Sequence, residues 1–473
     1  MTMARKLITI FAALAIAALL LSSCGVSDRP AQQSAAPAAA APTAAPHAAP
    51  AQPPPTALPE ELYIRADDGS ESGILAILGG KGVRELPLGA VAPDWSTLYT
   101  VATRTDYGPP KTFLRALDLK TGTLLRETTL DGAYALPAVS LDGMLGGLSP
   151  NGDWLVLRKA PGQTIGRLQS QFVVLDTAFA RPPRRVDLDV DGPYEFDGIS
   201  SDGASLYLVQ YLSSPSLAQA TKYHVRYYNL AQGALDPQPV VAKGEEAVMA
   251  GTHHTSVAAP GGMWRYSLYM NNSYGPFIHA LNLTGRFALC IDLPKAGKDD
   301  AERQMFWSMA VSPDGKTLYA VNGALGLVTE LNISQDGLPE IRRTAALPTT
   351  PAASAGPLDA LAALFAAPVA EAKPEHGRGA LGAATVSADG KTLFALGQRG
   401  LLAIDTRDLS LRERYLQDTA LGSLALSADG ARLYAVSLEE GQIVRLDTAT
   451  GKLLGEVASA RRPWGVLRVA VGR

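Results

Sequence analysis

Glu195 and His253 are the two residues in this chain whose types and placement could do chemistry together. Each stands five residues before a recurring turn, Ser200-Ser201-Asp202-Gly203 for the first and Ala258-Ala259-Pro260-Gly261 for the second. The same count selects Met144 and Trp307 in neighbouring repeats. A carboxylate and an imidazole that meet across adjacent repeats form a general acid–base pair, or offer two ligands to a divalent metal. The plainer reading is a polar rim with ordinary hydrogen bonds, and it is preferred. His254 is expected to face away from His253, because successive residues of an extended strand point to opposite sides. His224 and His279 occupy other strand positions, and His376 lies in an insert. The chain has no His-x-His or His-Glu-x-x-His spacing, no serine-nucleophile elbow and no phosphate loop. No resident cofactor is therefore expected, with a divalent metal at Glu195 and His253 as the weaker alternative.

Aromatic residues collect between Trp264 and Tyr274. Alternate members of that run suit a strand core. Asn271-Asn272-Ser273-Tyr274-Gly275-Pro276 reads as a loop. Tyr274 thus joins Met144 and Trp307 as a candidate contact for a ligand, since amphipathic aromatics serve interfaces well.

The elements that must position these residues are announced by the turn itself. Four-residue turns begin at residues 92, 149, 200, 258, 312, 387 and 427, five of them reading Ser-x-Asp/Asn-Gly. Glycine tolerates positive φ there, and the Asp or Asn side chain bonds its own backbone. Runs such as Leu318-Tyr319-Ala320-Val321 and Leu433-Tyr434-Ala435-Val436 follow with a period of two. A third strand ends in Leu117-Asp118, Leu175-Asp176, Tyr228-Asn229, Leu281-Asn282, Leu331-Asn332, Ile404-Asp405 or Leu446-Asp447, and a more polar fourth strand follows. Repeated four-stranded units of this kind predict an all-β chain that closes as one β-propeller of antiparallel blades. Leu62–Arg65, Gly73–Leu78 and Val83–Leu88 look like second, third and fourth strands lacking a first, and Trp464–Val471 looks like a first strand alone. Together they predict a composite closing blade and a total of eight. Seven is the alternative, with the terminal strands as an accessory sheet. The long interval after Ser312 holds an insert at about 348–379, in which Leu358–Phe365 has the spacing of a short helix.

The stretches Ser312–Val321 and Leu446–Gly451 resemble bacterial propellers of the YVTN type and the related lactonase-like and WD-type folds. The resemblance covers most of residues 60–471. It implies the fold. Families of this kind include lactone hydrolases, quinone- or metal-binding proteins and binding platforms, so it leaves the chemistry open.

Arg5 and Lys6 precede an apolar run from Leu7 to Leu21 and then Leu21-Ser22-Ser23-Cys24-Gly25. The run is short for a membrane span, which needs ~20 residues, and reads as a signal peptide over 1–23. Its end resembles a bacterial lipoprotein cleavage signal, which implies that Cys24 becomes the acylated N-terminus. Residues 24–59 are mostly Ala, Pro and Gln. They read as a disordered tether, followed by the propeller over 60–473. Only two cysteines occur, which leaves Cys290 as an expected buried strand residue. The net charge of −3 has no basic cluster, so no nucleic-acid partner is expected. The preferred reading is a monomeric, extracytoplasmic module, anchored in the bacterial cell membrane through Cys24, that binds or scaffolds a protein, peptide or glycan. The alternatives are a lactonase-like or metal-assisted hydrolase at the central channel, and a redox or cofactor-binding propeller with Trp307 at the channel mouth.

Overall fold

The computed structural model describes residues 60–67, 72–79, 82–105, 108–139, 144–160, 170–188, 192–212, 221–241, 247–271, 275–295, 303–333, 338–348 and 383–471. The signal peptide, the tether, Cys24, Tyr274 and nearly all of the 348–379 insert lie outside them.

Among the described residues the strands form eight antiparallel sheets. Numbered along the chain, blade 1 runs from Ala90–Val91 to Leu124–Asp131, and blade 2 from Tyr134–Ala135 to Arg184–Leu188. Blade 3 runs from Tyr194–Ile199 to Met249–Ala250, blade 4 from Thr252–Ala258 to Phe287–Asp292, and blade 5 from Trp307–Val311 to Glu340–Ala346. Blade 6 runs from Ala384–Val386 to Leu411–Tyr415, and blade 7 from Leu421–Leu426 to Leu453–Val457. Blade 8 is composite, with Glu60–Asp67, Ser72–Leu78 and Val83–Pro87 joined by Arg462–Val471 as its first strand. Glu60 pairs with Val471, and the register continues with two bulges to Asp67 opposite Arg462. Eight blades are therefore present, as preferred over seven.

The ring follows from strand periodicity. Central strands are buried on both faces, and alternate residues supply alternate seams. Leu155 and Leu157 pack on blade 1 through Tyr99, Leu114 and Ala116, whereas Val156 packs on blade 3 through Phe196, Leu206 and Leu208. One apolar cluster fills each seam. The last two join Tyr434 and Val436 of blade 7 to Leu62 and Ile64, and Tyr63 and Ile74 of blade 8 to Leu98 and Leu119 of blade 1. Fourth strands are more exposed, as in Leu124–Asp131 and Glu340–Ala346. They lie at the rim, where no further strand covers them.

The turns have the expected chemistry. Ser312 Oγ donates to Asp314 Oδ1 at 2.6 Å, Lys316 N donates to the same oxygen at 3.1 Å, and Thr317 N donates to Ser312 Oγ at 3.0 Å. Gly315 has φ 70°, the left-handed region that glycine enters at little cost. Equivalent bonds recur at Ser200, Ser387 and Ser427. In blade 1, Trp95 takes the glycine position at φ 61°, under Arg468 and beside Tyr63. In blade 4 the turn sits one residue later than the sequence spacing suggests. Ala259 N bonds Trp264 O, and Gly262 N bonds Ala259 O. The second marker closes each third strand: Thr121 N donates to Asp118 Oδ1 and Thr450 N to Asp447 Oδ1.

Closure carries one buried ionic contact. Glu60, 4% exposed, accepts Arg432 Nε at 2.8 Å and the Tyr434 hydroxyl, both from blade 7. Removing one partner of such a pair leaves a buried charge uncompensated, at ~3–5 kcal/mol. Arg432→Ala, which leaves Glu60 buried with only the Tyr434 hydroxyl, should lower the unfolding free energy from urea titration by about that amount and the midpoint with it. Asp429→Asn, which removes only an exposed contact to Arg432, should cost under about 1 kcal/mol. Equal midpoints for the two variants would show that Glu60 does not hold the ring.

Candidate functional site

At the seam between blades 3 and 4, one face of blade 4 is polar. In blade 4, Ser256 pairs with Ser267, Ser267 with His279, and His279 with Cys290. Residues directly opposite one another share a sheet face. Arg265 and Tyr269, two residues either side of Ser267, lie on that face too. The other face, with Tyr266, Leu268, Ile278 and Ala280, is apolar and packs on blade 5. Cys290 is half-buried and packs at the edge of the blade 3–4 cluster.

Two bulges re-aim side chains here. In the first strand of blade 3, Phe196 pairs with Leu208 and Gly198 with Tyr207, which leaves Asp197 as the extra residue. In the first strand of blade 4, His253 pairs with Tyr269 and Thr255 with Leu268, which leaves His254 as the extra residue. A bulge shifts the alternation by one. His254 itself is buried, 1% exposed.

Asp197 is 4% exposed and reaches across the seam. Its Oδ2 lies 3.8 Å from His279 Nε2 and its Oδ1 lies 3.9 Å from Arg265 Nε. His279 is fully buried, and Tyr269 meets its ring edge-on at 6.1 Å. Tyr223 of blade 3 stacks on Tyr269 at 5.2 Å. Burial drives both of these phenols well above the ordinary range. Burial also pulls the His279 imidazole down, with Asp197 pulling the other way and Arg265 adding to the fall. The Arg265 guanidinium is lowered by burial and held up by Asp197. The seam is thus an almost dry setting with one carboxylate, one guanidinium and a neutral imidazole.

Glu195 and His253 lie at the edge of this cluster, each with its own partner. Glu195 is exposed and accepts the Tyr211 hydroxyl at 2.9 Å. His253 Nε2 shares a 2.7 Å hydrogen bond with Ser256 Oγ, which bonds Ser267 Oγ at 2.8 Å. No hydrogen bond or ion pair joins Glu195 to His253. Desolvation first, then Arg265 and His254, lower the His253 pKa to about 3. Its imidazole is neutral throughout the physiological range.

The other candidates fall elsewhere. Trp307 is fully buried between blades 4 and 5 and donates through Nε1 to Gln304 Oε1 at 2.9 Å, so the expected place at the channel mouth is corrected. The one-residue offset of the blade 4 turn and the two bulges mean that equal spacing from the turn does not give equal position. Met144 is half-buried in an irregular hairpin of blade 2, where its carbonyl accepts Val139 N. Trp264, Tyr266 and Tyr269 of the aromatic run are core. Among the described residues no group of three or more His, Cys, Asp or Glu is placed to hold a metal ion. Arg265 puts a fixed cation beside the one buried carboxylate of the seam, which does not suit a divalent ion.

Asp197, Arg265, His279, Ser256 and Ser267 were not singled out by the sequence pattern. A signal existed. Arg265, Ser267 and Tyr269 alternate with Trp264, Tyr266 and Leu268 in a second strand. Its counterpart Leu318-Tyr319-Ala320-Val321 in blade 5 carries apolar residues on both faces.

No protein-family model matches the chain. No curated protein matches it either. Solved structures similar to it include apo AztD from Citrobacter koseri, at 11% identity over 88% of this chain and 99% of that one, with a TM-score of 0.48. The periplasmic gluconolactonase of Pseudomonas aeruginosa is 16% identical over 88% and 99%, with a TM-score of 0.40. A putative 6-phosphogluconolactonase of Bacteroides fragilis is 14% identical over 79% and 98%, with a TM-score of 0.38. Likeness at this level concerns the fold and leaves the seam to be read from its own residues.

The neutral histidines predict an acid-sensitive seam. A histidine with a lowered folded pKa binds fewer protons folded than unfolded, so stability is full above the ordinary imidazole value of 6.5 and declines as pH falls below it. Urea midpoints should drop from roughly pH 6.5 to roughly pH 3, between the unfolded and the folded imidazole values. His253→Asn should flatten that slope. The turn aspartates, also lowered, act only below roughly pH 4. An unchanged slope in His253→Asn would refute the assignment.

Proposed function

We propose that the chain is an extracytoplasmic binding or scaffolding propeller for a protein, peptide or glycan, held at the membrane through lipid on Cys24. The observation that carries this reading is the state of the two residues best suited to acid–base work. His253 is lowered to about 3, and Glu195 is engaged by Tyr211. Taking a proton onto His253 costs on the order of 5 kcal/mol more than onto an ordinary imidazole. A general base works best with its pKa near the working pH. A stiff ring of eight blades, with polar side chains fixed at one seam, suits recognition by a preorganised surface. The anchor rests on the sequence: a basic start, a short apolar run and Ser22-Ser23-Cys24-Gly25 ahead of an Ala/Pro-rich stretch. Two acyl chains hold a protein far more firmly than one.

A hydrolase is the competing reading, and the 2.7 Å contact between His253 and Ser256 is what favours it. A panel of lactones and esters, run on the purified full chain and on His253→Ala and Ser256→Ala, separates the two. The expected result is no turnover that depends on either residue, no labelling of Ser256 by a fluorophosphonate and no stoichiometric metal by elemental analysis. Turnover lost in His253→Ala would replace the binding reading with the catalytic one. For the anchor, a bacterial host fed labelled palmitate should label the wild type and not Cys24→Ser. A wild type without label would leave the chain unanchored by lipid.

A further inference from the structure

Three side chains at the blade 3–4 seam carry buried polar atoms that no protein atom satisfies. Asp197 Oδ2, Arg265 Nε and both ring nitrogens of His279 have essentially no solvent exposure and make no hydrogen bond to protein. They lie around one carboxylate, with Asp197 Oδ2 3.8 Å from His279 Nε2 and its other oxygen, Oδ1, 3.9 Å from Arg265 Nε. Those separations are too long for direct hydrogen bonds, which lie at about 2.7–3.2 Å. Each unmet buried group costs ~1–3 kcal/mol, more when charged. Unmet groups concentrated at one point are a far stronger signal than the same number scattered, because one guest can satisfy several of them.

We propose that this triad is a binding site for a single hydroxyl-type oxygen. The assignment follows from donors and acceptors. Arg265 Nε–H can only donate, and the Asp197 carboxylate can only accept. Neutral His279 offers one N–H and one lone pair, and the N–H may be on either nitrogen. An oxygen that accepts from Arg265, donates to Asp197 and completes one bond with His279 needs one O–H and two lone pairs. Water and the hydroxyl of a polyhydroxylated ligand both have them. An anion lacks the proton that Asp197 requires, and an ammonium would be repelled by Arg265. The carboxylate and guanidinium offset each other, so a neutral guest brings no uncompensated charge. The bulge at Asp197 is what swings its carboxylate into the seam. Arg265 is the member with the most contact with solvent, at 18% of its side chain. The site stands apart from the binding reading above, because these atoms need the oxygen whether or not the seam meets a partner.

A high-resolution crystal structure of the purified full chain tests this, paired with thermal shift in millimolar glucose, sorbitol and myo-inositol on the wild type and on Asp197→Asn. The expected result is an oxygen-sized density peak within about 3 Å of Asp197 Oδ2, Arg265 Nε and a His279 nitrogen. If no polyol gives a saturable shift, the oxygen is solvent. If one does and Asp197→Asn abolishes it, the oxygen is a ligand hydroxyl. Both outcomes support the site. A seam in which the three side chains close to direct hydrogen bonds with no density between them would overturn it.

Discussion

A four-stranded sheet whose central strands are apolar on both faces cannot stop at one neighbour, and every feature of this fold answers to that constraint. Leu155 and Leu157 need blade 1, and Val156 needs blade 3. Each added blade buries one open face and exposes another until the last meets the first. The chain solves the final step by splitting one blade between its ends, so that Glu60–Asp67 is zipped to Arg462–Val471. Closure then depends on backbone pairing as well as side-chain packing, and the Glu60 contacts with Arg432 and Tyr434 fix the register where the ring shuts.

The apolar rule has polar exceptions, Glu60 at the closing seam among them. At blades 3 and 4 the ring tolerates a carboxylate, a guanidinium and buried histidines. Apolar and aromatic residues share that seam with them: Val225, Tyr227, Leu281 and Leu283 pack outside the polar group. Tyr207 ties the two blades through Leu283 O at 2.9 Å. A polar site survives in the wall of a propeller because the surrounding ring clamps it. The same charged pair in a free-standing sheet would open to water, where it loses most of its mutual attraction.

Most of the architecture was legible because it rests on local chemistry. Ser-x-Asp-Gly makes the same short hydrogen bonds wherever it occurs, and the Asp or Asn that ends each third strand caps the following turn. The composite blade was legible because its strands were visibly missing a partner at each end. The site was harder for two physical reasons. Strict alternation does not hold along these first strands, because bulges at Asp197 and His254 interrupt it beside the site. The fourth turn, Ala259-Pro260-Gly261-Gly262, has no serine to mark its first residue, so the count there was one residue off. Trp307 shares the spacing but not the position: its own strand pairs without a bulge, and its ring is core.

The bulges also explain why Glu195 and His253, aligned by spacing, do not act as a pair. Before its bulge, each strand is one residue out of phase with the segment after it. Glu195 is left at the exposed end with Tyr211, and His253 turns back along its own strand to Ser256. The burial that makes the seam rigid also strips His253 of basicity, since desolvation and the nearby Arg265 both penalise its charged form. Rigidity and proton affinity are therefore opposed at this place. A catalytic imidazole here would need either a carboxylate on its free nitrogen or an open route to water. The one buried carboxylate of the seam is instead directed to Arg265 and His279. What the seam keeps is fixed direction: donors and acceptors whose positions are set by a closed ring, which is the property that recognition uses.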